Sequence, residues 1–232
     1  MREIVLDTET TGFEPNDGDR IVEIGAVELL NHLPTGETFH VYINPERSMP
    51  QGAFEVHGLG DDFLRDKPVF SAVAQPFLDF VGDARLVIHN AAFDMKFLNA
   101  ELGWLGLPLL AWERAVDTLA IARRRFPGAP ASLDALCRRF GIDNSARTLH
   151  GALLDSQILA EVYLELIGGR QPDFGLSAGS AAVTTASGEP AGAWRPGPRP
   201  RPLPSRITGA EAEAHAAFVA GLGEAAIWGR AD

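Results

Sequence analysis

Apolar and polar positions alternate in short blocks over the first 170 residues, and each block has a readable period. "EIVLDTE" and "RIVEIGAVELL" are apolar runs separated by the polar "EPNDGD", so residues 1–30 predict a strand hairpin. "TFHVYINP" predicts a third strand, ended by Pro45. In "PVFSAVAQPFLDFVG" the apolar side chains Phe70, Val73, Phe77 and Phe80 recur at helical spacing, with Pro76 expected to bend or shorten the helix. "RLVIHN" predicts a short buried strand, and "AAFDMKFLNAELG" a helix ending at Gly103. "VDTLAIARRRFPG" predicts a helix closed by Pro127 and Gly128. In "SLDALCRRFG", Ser132 is an N-cap, Leu133, Leu136, Cys137 and Phe140 form a stripe, and Gly141 is the stop. A last long helix runs from about Gly151 to Ile167, with Leu159, Val162, Tyr163 and Leu166 on one side. Three strands followed by strands alternating with helices give an α/β domain, a mixed sheet with helices packed around it. No internal repeat is visible.

At Gly168 the pattern breaks. Six prolines fall between Pro190 and Pro204, and large aliphatic side chains nearly vanish, which is the composition of a flexible linker. Order returns at Thr208, which with Glu211 forms a T-x-x-E capping box. The helix it starts has too few neighbours to bury its own apolar residues. The chain therefore divides into a domain at 1–169, a linker at 170–206 and a helical segment at 207–232.

Composition narrows the function. The net charge is −11, and residues 1–170 hold 25 acidic against 15 basic side chains. A long basic footprint for nucleic acid is therefore excluded unless cations neutralise the site locally. No run approaches the roughly 18 apolar residues of a membrane span, and "MREIVLD" leads directly into a strand, with no signal-peptide pattern. The single cysteine, Cys137, sits in an apolar stripe and reads as a small core residue. All of this fits a reducing, cytoplasmic setting.

The candidate chemistry lies in carboxylates. Side chains alternate along a strand, so Asp7 and Glu9 in "IVLDTETTG" share one face. Asp94 follows the buried strand "LVI" at a strand-to-helix junction, and Asp155 lies in the first turns of the long helix. Four carboxylates at one sheet rim repel one another unless a cation sits between them. Oxygen ligands suit Mg²⁺ or Mn²⁺ rather than zinc. His150 is five residues before Asp155, about 140° away on a continuous helix. It therefore belongs to the preceding segment, where it can swing toward the ions as a general base.

"VLDTETTG", "VIHNAAFD" and "HGALLDSQILAEVY", in this order, resemble the three motifs of the DEDDh family of 3′-to-5′ exonucleases, over roughly residues 3–170. Within that family the chain is most similar to the proofreading subunits of bacterial DNA polymerase III. The resemblance implies a ribonuclease H-like fold and two divalent ions held by Asp7, Glu9, Asp94 and Asp155. It implies His150 as the base that takes a proton from the attacking water, and a nucleoside 5′-monophosphate as product. By the same analogy Asp7, Thr8, Glu9, Thr10, Gly12, Asn90 and Asp155 meet the terminal nucleotide, and His57 reaches it. Phe13 packs either on its base or sugar or in the core, and His89 has no assigned role. Gly52 departs from the family pattern, standing where relatives carry an acid.

Partners also follow from the resemblance. Gln171, Phe174 and Leu176 have the look of a sliding-clamp-binding peptide. Phe218, Leu222 and Trp228 lie in the terminal segment that would grip the polymerase alpha subunit, and a small accessory subunit is a further implied partner. RNA-trimming exonucleases of the ribonuclease T and oligoribonuclease type share these core motifs and stay open as the alternative. The linker and terminal helix favour the DNA reading.

Overall fold

The computed structural model describes residues 1–147, 149–169 and 207–222. The chain divides into two units, residues 1–176 and 177–232. The first is built on a five-stranded sheet. Its strands are β1 (Arg2–Thr10), β2 (Ile21–Leu30), β3 (Leu33–Tyr42), β4 (Arg85–Ile88) and β5 (Ala115–Asp117), in the order β3-β2-β1-β4-β5. The first hairpin pairs antiparallel as the alternation predicts, β3 extends it, and β4 and β5 add parallel strands beside β1.

The helices are α1 (Gln51–His57), α2 (Asp61–Leu64), α3 (Phe70–Val81), α4 (Ala91–Trp104), α5 (Thr118–Arg125), α6 (Leu133–Phe140) and α7 (Ala152–Leu166). Alternation along β1 feeds two cores. Ile4 and Leu6 pack with Phe70, Phe77, Met95 and Phe97 from α3 and α4. Val5 packs with Leu136, Cys137, Leu159 and Val162 from α6 and α7. Phe70, Phe77 and Phe97 are essentially inaccessible to solvent, each worth about 1.5–3 kcal/mol of burial. Cys137 is a buried free thiol in this second core, as its stripe predicts.

Some elements differ from the sequence reading. Helix α3 runs unshortened through Pro76, whose position is exposed. Strand β3 begins at Leu33 rather than Thr38, because an edge strand tolerates Pro34 and a mostly exposed surface. The turn into it, Asn31 and His32, has positive φ at both residues, 52° and 67°. Strand β5 takes residues read as the start of a helix. It is three residues long, too short to show alternation. Asp117 then caps α5, accepting from the backbone N–H groups of Leu119 (2.9 Å) and Ala120 (3.3 Å). Helices α1 and α2 were not legible, since neither has a side-chain N-cap.

In the second unit, α8 (Gly209–Gly221) starts as the T-x-x-E pattern predicts. Glu211 N–H donates to Thr208 Oγ1 at 3.3 Å, and Thr208 N–H donates to Glu211 Oε2 at 2.8 Å. No residue of α8 is buried, and Phe218 and the following Leu222 are exposed. The linker reading at 170–206, the clamp-like residues Gln171, Phe174 and Leu176, and Trp228 lie outside the described residues.

Candidate active site

Strands β1, β4 and β5 run parallel, so their C-terminal ends share one edge of the sheet, where α/β folds commonly place their sites. Asp7 lies directly across from Gly25 of β2 in the ladder. Helix α7 crosses over that glycine. A Cβ on Gly25 would sit 2.1 Å from the Leu153 nitrogen and 2.2 Å from the Ala152 carbonyl carbon. Ser156 Oγ fastens the crossing by donating to the Gly25 carbonyl at 2.8 Å. The missing side chain thus lets the start of α7 rest on the sheet and brings Asp155 to the Asp7–Glu9 face. Ligand atoms of Glu9, His150 and Asp155 all lie within 4.8 Å of one another. His150 precedes the Gly151 N-cap, as its spacing predicts, and its side chain is half exposed.

Asp94 arrives from the other face. Asn90 takes a left-handed conformation (φ 67°) at the turn out of β4, and Asp94 follows in the first turn of α4. One carboxylate oxygen, Oδ1, accepts from Thr8 N–H (3.0 Å) and from Thr8 Oγ1 (2.7 Å). The site therefore straddles the sheet edge, two carboxylates from β1 and one from each layer of helices.

Burial of these groups together has an electrostatic cost. Asp7 is held well above the usual carboxylate range, first by burial and then by Asp94, Glu9 and Asp155. Glu9 is pushed up to about 8 by burial and by Glu23, Asp155 and Asp94. Asp94 rises to about 7 because burial outweighs its bonds from Thr8. Asp155 alone moves down: burial opposes this, but hydrogen bonds and charge from His150 and Arg147 prevail. Protons or a cation must neutralise such a cluster. Its oxygen donors and one imidazole are a set that a hard divalent ion fits.

Beside the carboxylates opens a cleft of about 740 Å³, whose wall includes Thr8, Thr10, Gly12, Phe13, Gly52, His57, Asn90 and His150. Phe13 is 81% exposed and meets Phe93 edge to face, so it is not a core residue. His57 is buried, and its Nδ1 accepts from Leu59 N–H at 3.0 Å. Burial lowers its pKa although the Thr10 carbonyl beside it acts the other way, and its Nε2 has no well-formed hydrogen bond among the described residues. His89 lines the same cleft and is 2.9 Å from Thr118 Oγ1 through Nδ1. Gly12 is crowded by the Asp19 carboxylate, 2.2 Å from where a Cβ would be, so a side chain there would have to shift Asp19, which accepts from Thr11 Oγ1 and Glu14 N–H. At Gly52 a Cβ would meet nothing within 4 Å, so nothing steric excludes an acidic side chain there.

Arg147 was missed in the sequence reading. Its guanidinium binds both oxygens of Asp155, from Nε to Oδ1 and from Nη2 to Oδ2 (2.7 Å). It also reaches Asp134 Oδ1 at 2.9 Å and His150 Nδ1 at 2.8 Å. The available signal was a lone basic residue, three before His150, in a segment from which only His150 was singled out.

Residues 4–163 match the family model described as Exonuclease. A DNA polymerase III subunit epsilon of Rickettsia felis is 57% identical over 177 residues, covering 75% of this chain and 77% of the relative. The Escherichia coli K12 subunit of the same name is 53% identical over 176 residues, covering 73% and 72%. This chain belongs to the exonuclease family of the DNA polymerase III epsilon subunits. It is a metal-dependent 3′-to-5′ proofreading exonuclease of that family, and the family implies divalent metal ions. Among solved structures, Exonuclease X in complex with 5′ overhanging duplex DNA superposes with a TM-score of 0.56 at 26% identity, over 71% of this chain and 90% of that one. The nuclease domain of 3′hExo, a DEDDh family member bound to rAMP, gives 0.60 at 21% identity over 72% and 91%, a likeness of fold alone. Membership of the epsilon family favours the DNA reading over the RNA-trimming alternative. No helix among the described residues is long and apolar enough to cross a membrane.

Proposed function

We propose that Asp7, Glu9, Asp94 and Asp155 hold two divalent ions, Mg²⁺ or Mn²⁺, at a site that removes the 3′-terminal nucleotide of DNA. The observation that carries this reading is the crossing of α7 over Gly25, which sets Asp155 against the Asp7–Glu9 face while Thr8 holds Asp94 from the other. Ions bound there would neutralise phosphate charge and make water a better nucleophile at neutral pH. His150, half exposed at the cleft wall, accepts the proton of the attacking water. The P–O3′ bond breaks, leaving a 3′-hydroxyl on the shortened strand and releasing a nucleoside 5′-monophosphate. Thr8, Thr10, Gly12, His57 and Asn90 bound the space for the terminal nucleotide, and the exposed Phe13 ring offers its base a stacking face.

The rest of the chain acts as a tether in a cytoplasmic replication complex. Residues 1–169 are the nuclease. Gln171, Phe174 and Leu176 bind a sliding clamp, and Phe218, Leu222 and Trp228 bind the polymerase alpha subunit. A small accessory subunit is a further partner. Support comes from α8 and its C-cap, where Phe218 and Leu222 are exposed. A tether compensates for a nuclease whose net charge is unsuited to gripping DNA alone. The test is hydrolysis of a 3′-labelled oligonucleotide with Mg²⁺. The intact chain should release mononucleotides and Asp7→Ala should release none. An active Asp7→Ala protein refutes the site.

A further inference from the structure

We propose that Arg147 is a built-in counter-ion that occupies the Asp155 end of the metal site when no ion is bound, and that it must yield Asp155 when one enters. This rests on the metal-site reading above. Both Asp155 oxygens accept from this one guanidinium. Its planar fork matches a carboxylate, so the pair uses the in-plane lone pairs that a divalent ion would also take. The Arg147 side chain is 9% exposed and that of Asp155 is 4% exposed, so water screens the pair little. Both Asp155 oxygens are engaged by Arg147, so an ion that binds Asp155 must displace at least one of these bonds, and its charge repels the guanidinium beside it.

The same guanidinium engages His150. Arginine can only donate, so in neutral His150 the Nδ1 at 2.8 Å is the acceptor, although the same nitrogen also lies 3.4 Å from Asp155 Oδ2. The lone pair with which that nitrogen would accept a water proton is thereby occupied. Arg147 thus ties up a metal ligand and the proposed base together. It also has a place to withdraw to: Asp134, on the first turn of α6, already accepts from Nη1 at 2.9 Å, and its side chain is 47% exposed. Asp134 lies outside the carboxylate cluster and pulls the arginine away from it. Without an ion, Arg147 relieves the repulsion around Asp155. With an ion, it leans on Asp134 and frees Asp155 and His150.

This makes opposite predictions for two variants, read by calorimetric titration of Mn²⁺ into the full chain without DNA. Arg147→Gln removes the competing charge, so Mn²⁺ should bind several-fold more tightly, while the melting temperature in EDTA falls. Asp134→Asn keeps an acceptor oxygen but loses the charge that draws the guanidinium off, so Mn²⁺ should bind several-fold more weakly. An Arg147→Gln protein that binds Mn²⁺ equally or less tightly overturns the proposal. If that variant does not fold, Asp134→Asn decides alone, and equal or tighter binding by it overturns the proposal. A wild-type chain that binds no Mn²⁺ would instead refute the metal site itself.

Discussion

Asp94 and Asp155 are the same residue type, each in the first turn of a helix, each buried at the same sheet edge, yet they are stabilised in opposite ways. Asp94 is met by neutral donors, the N–H and hydroxyl of Thr8, and burial pushes it up to about 7. Asp155 is met by a guanidinium and an imidazole, and it is held down. The difference teaches that burial alone does not set a carboxylate's state. What matters is whether a full positive charge is within reach. Among the described residues only the α7 side of the site carries such a charge, so the two halves should respond differently when they are cut.

The largest expected effect breaks both halves at once. Asp94→Asn and Asp155→Asn should each lower hydrolysis on the order of 10³-fold or more, since each removes several kcal/mol of charge stabilisation. Their metal-free stabilities should part company. Asp155→Asn removes one of the two carboxylates paired with the buried Arg147 and leaves only Asp134, so its Tm in EDTA should fall by about 5 °C. Asp94→Asn keeps an acceptor for Thr8 and should melt at or above the wild-type temperature. Equal Tm changes would erase the contrast. Next, Gly25→Ala forces a Cβ into the backbone of α7 and moves Asp155 but not Asp94. Activity should drop about 10²-fold, as a displacement of about 1 Å at a reacting centre does. A fully active Gly25→Ala protein would remove the crossing from the account. Thr8→Val touches only the other half. It deletes the 2.7 Å hydroxyl bond to Asp94 and should cost about tenfold in Mn²⁺-dependent rate, leaving the Tm contrast of Asp155→Asn unchanged.

The smallest effect is on pH. Glu9 and Asp94 have folded-state values of about 8 and about 7, above the usual carboxylate range of the unfolded chain. Between roughly pH 4 and 8 the folded protein therefore holds more protons than the unfolded one. Metal-free stability is greatest at the acid end of that window and declines as pH rises through 7 and 8. Thermal melts in EDTA should lose a few degrees between about pH 5.5 and about pH 8.5. Asp155 has the opposite sign, its contribution being lost only as pH falls below the ordinary carboxylate range. A Tm that climbs across neutral pH would contradict the upward shifts.

The long elements were legible because their apolar periods are long. Strands β1 and β2 and helices α4, α6 and α7 carry enough turns or alternations to show a period. Strand β5, with Val116 as its sole buried residue, carries none. The exposed β3 edge hides its start behind Pro34 and Gly36. Asp7, Glu9, Asp94 and Asp155 stood out as acids inside apolar runs, and they do converge. Two determinants were not legible. Gly25 looks like any strand glycine until the crossing helix is placed above it. Arg147 looks like a solvated loop residue until its three acceptors are brought together from α6, α7 and the loop itself. Both owe their roles to long-range packing, which local pattern does not encode.

The most direct test of the central claim is anomalous diffraction from crystals of the chain grown with Mn²⁺ and a nucleoside 5′-monophosphate. The account predicts two manganese peaks about 3.5–4 Å apart, within coordinating reach of Asp7, Glu9 and Asp155 on one side and Asp94 on the other, with the nucleotide in the adjoining cleft. Manganese bound elsewhere, or a single ion that does not engage the carboxylates of both sheet faces, would contradict it.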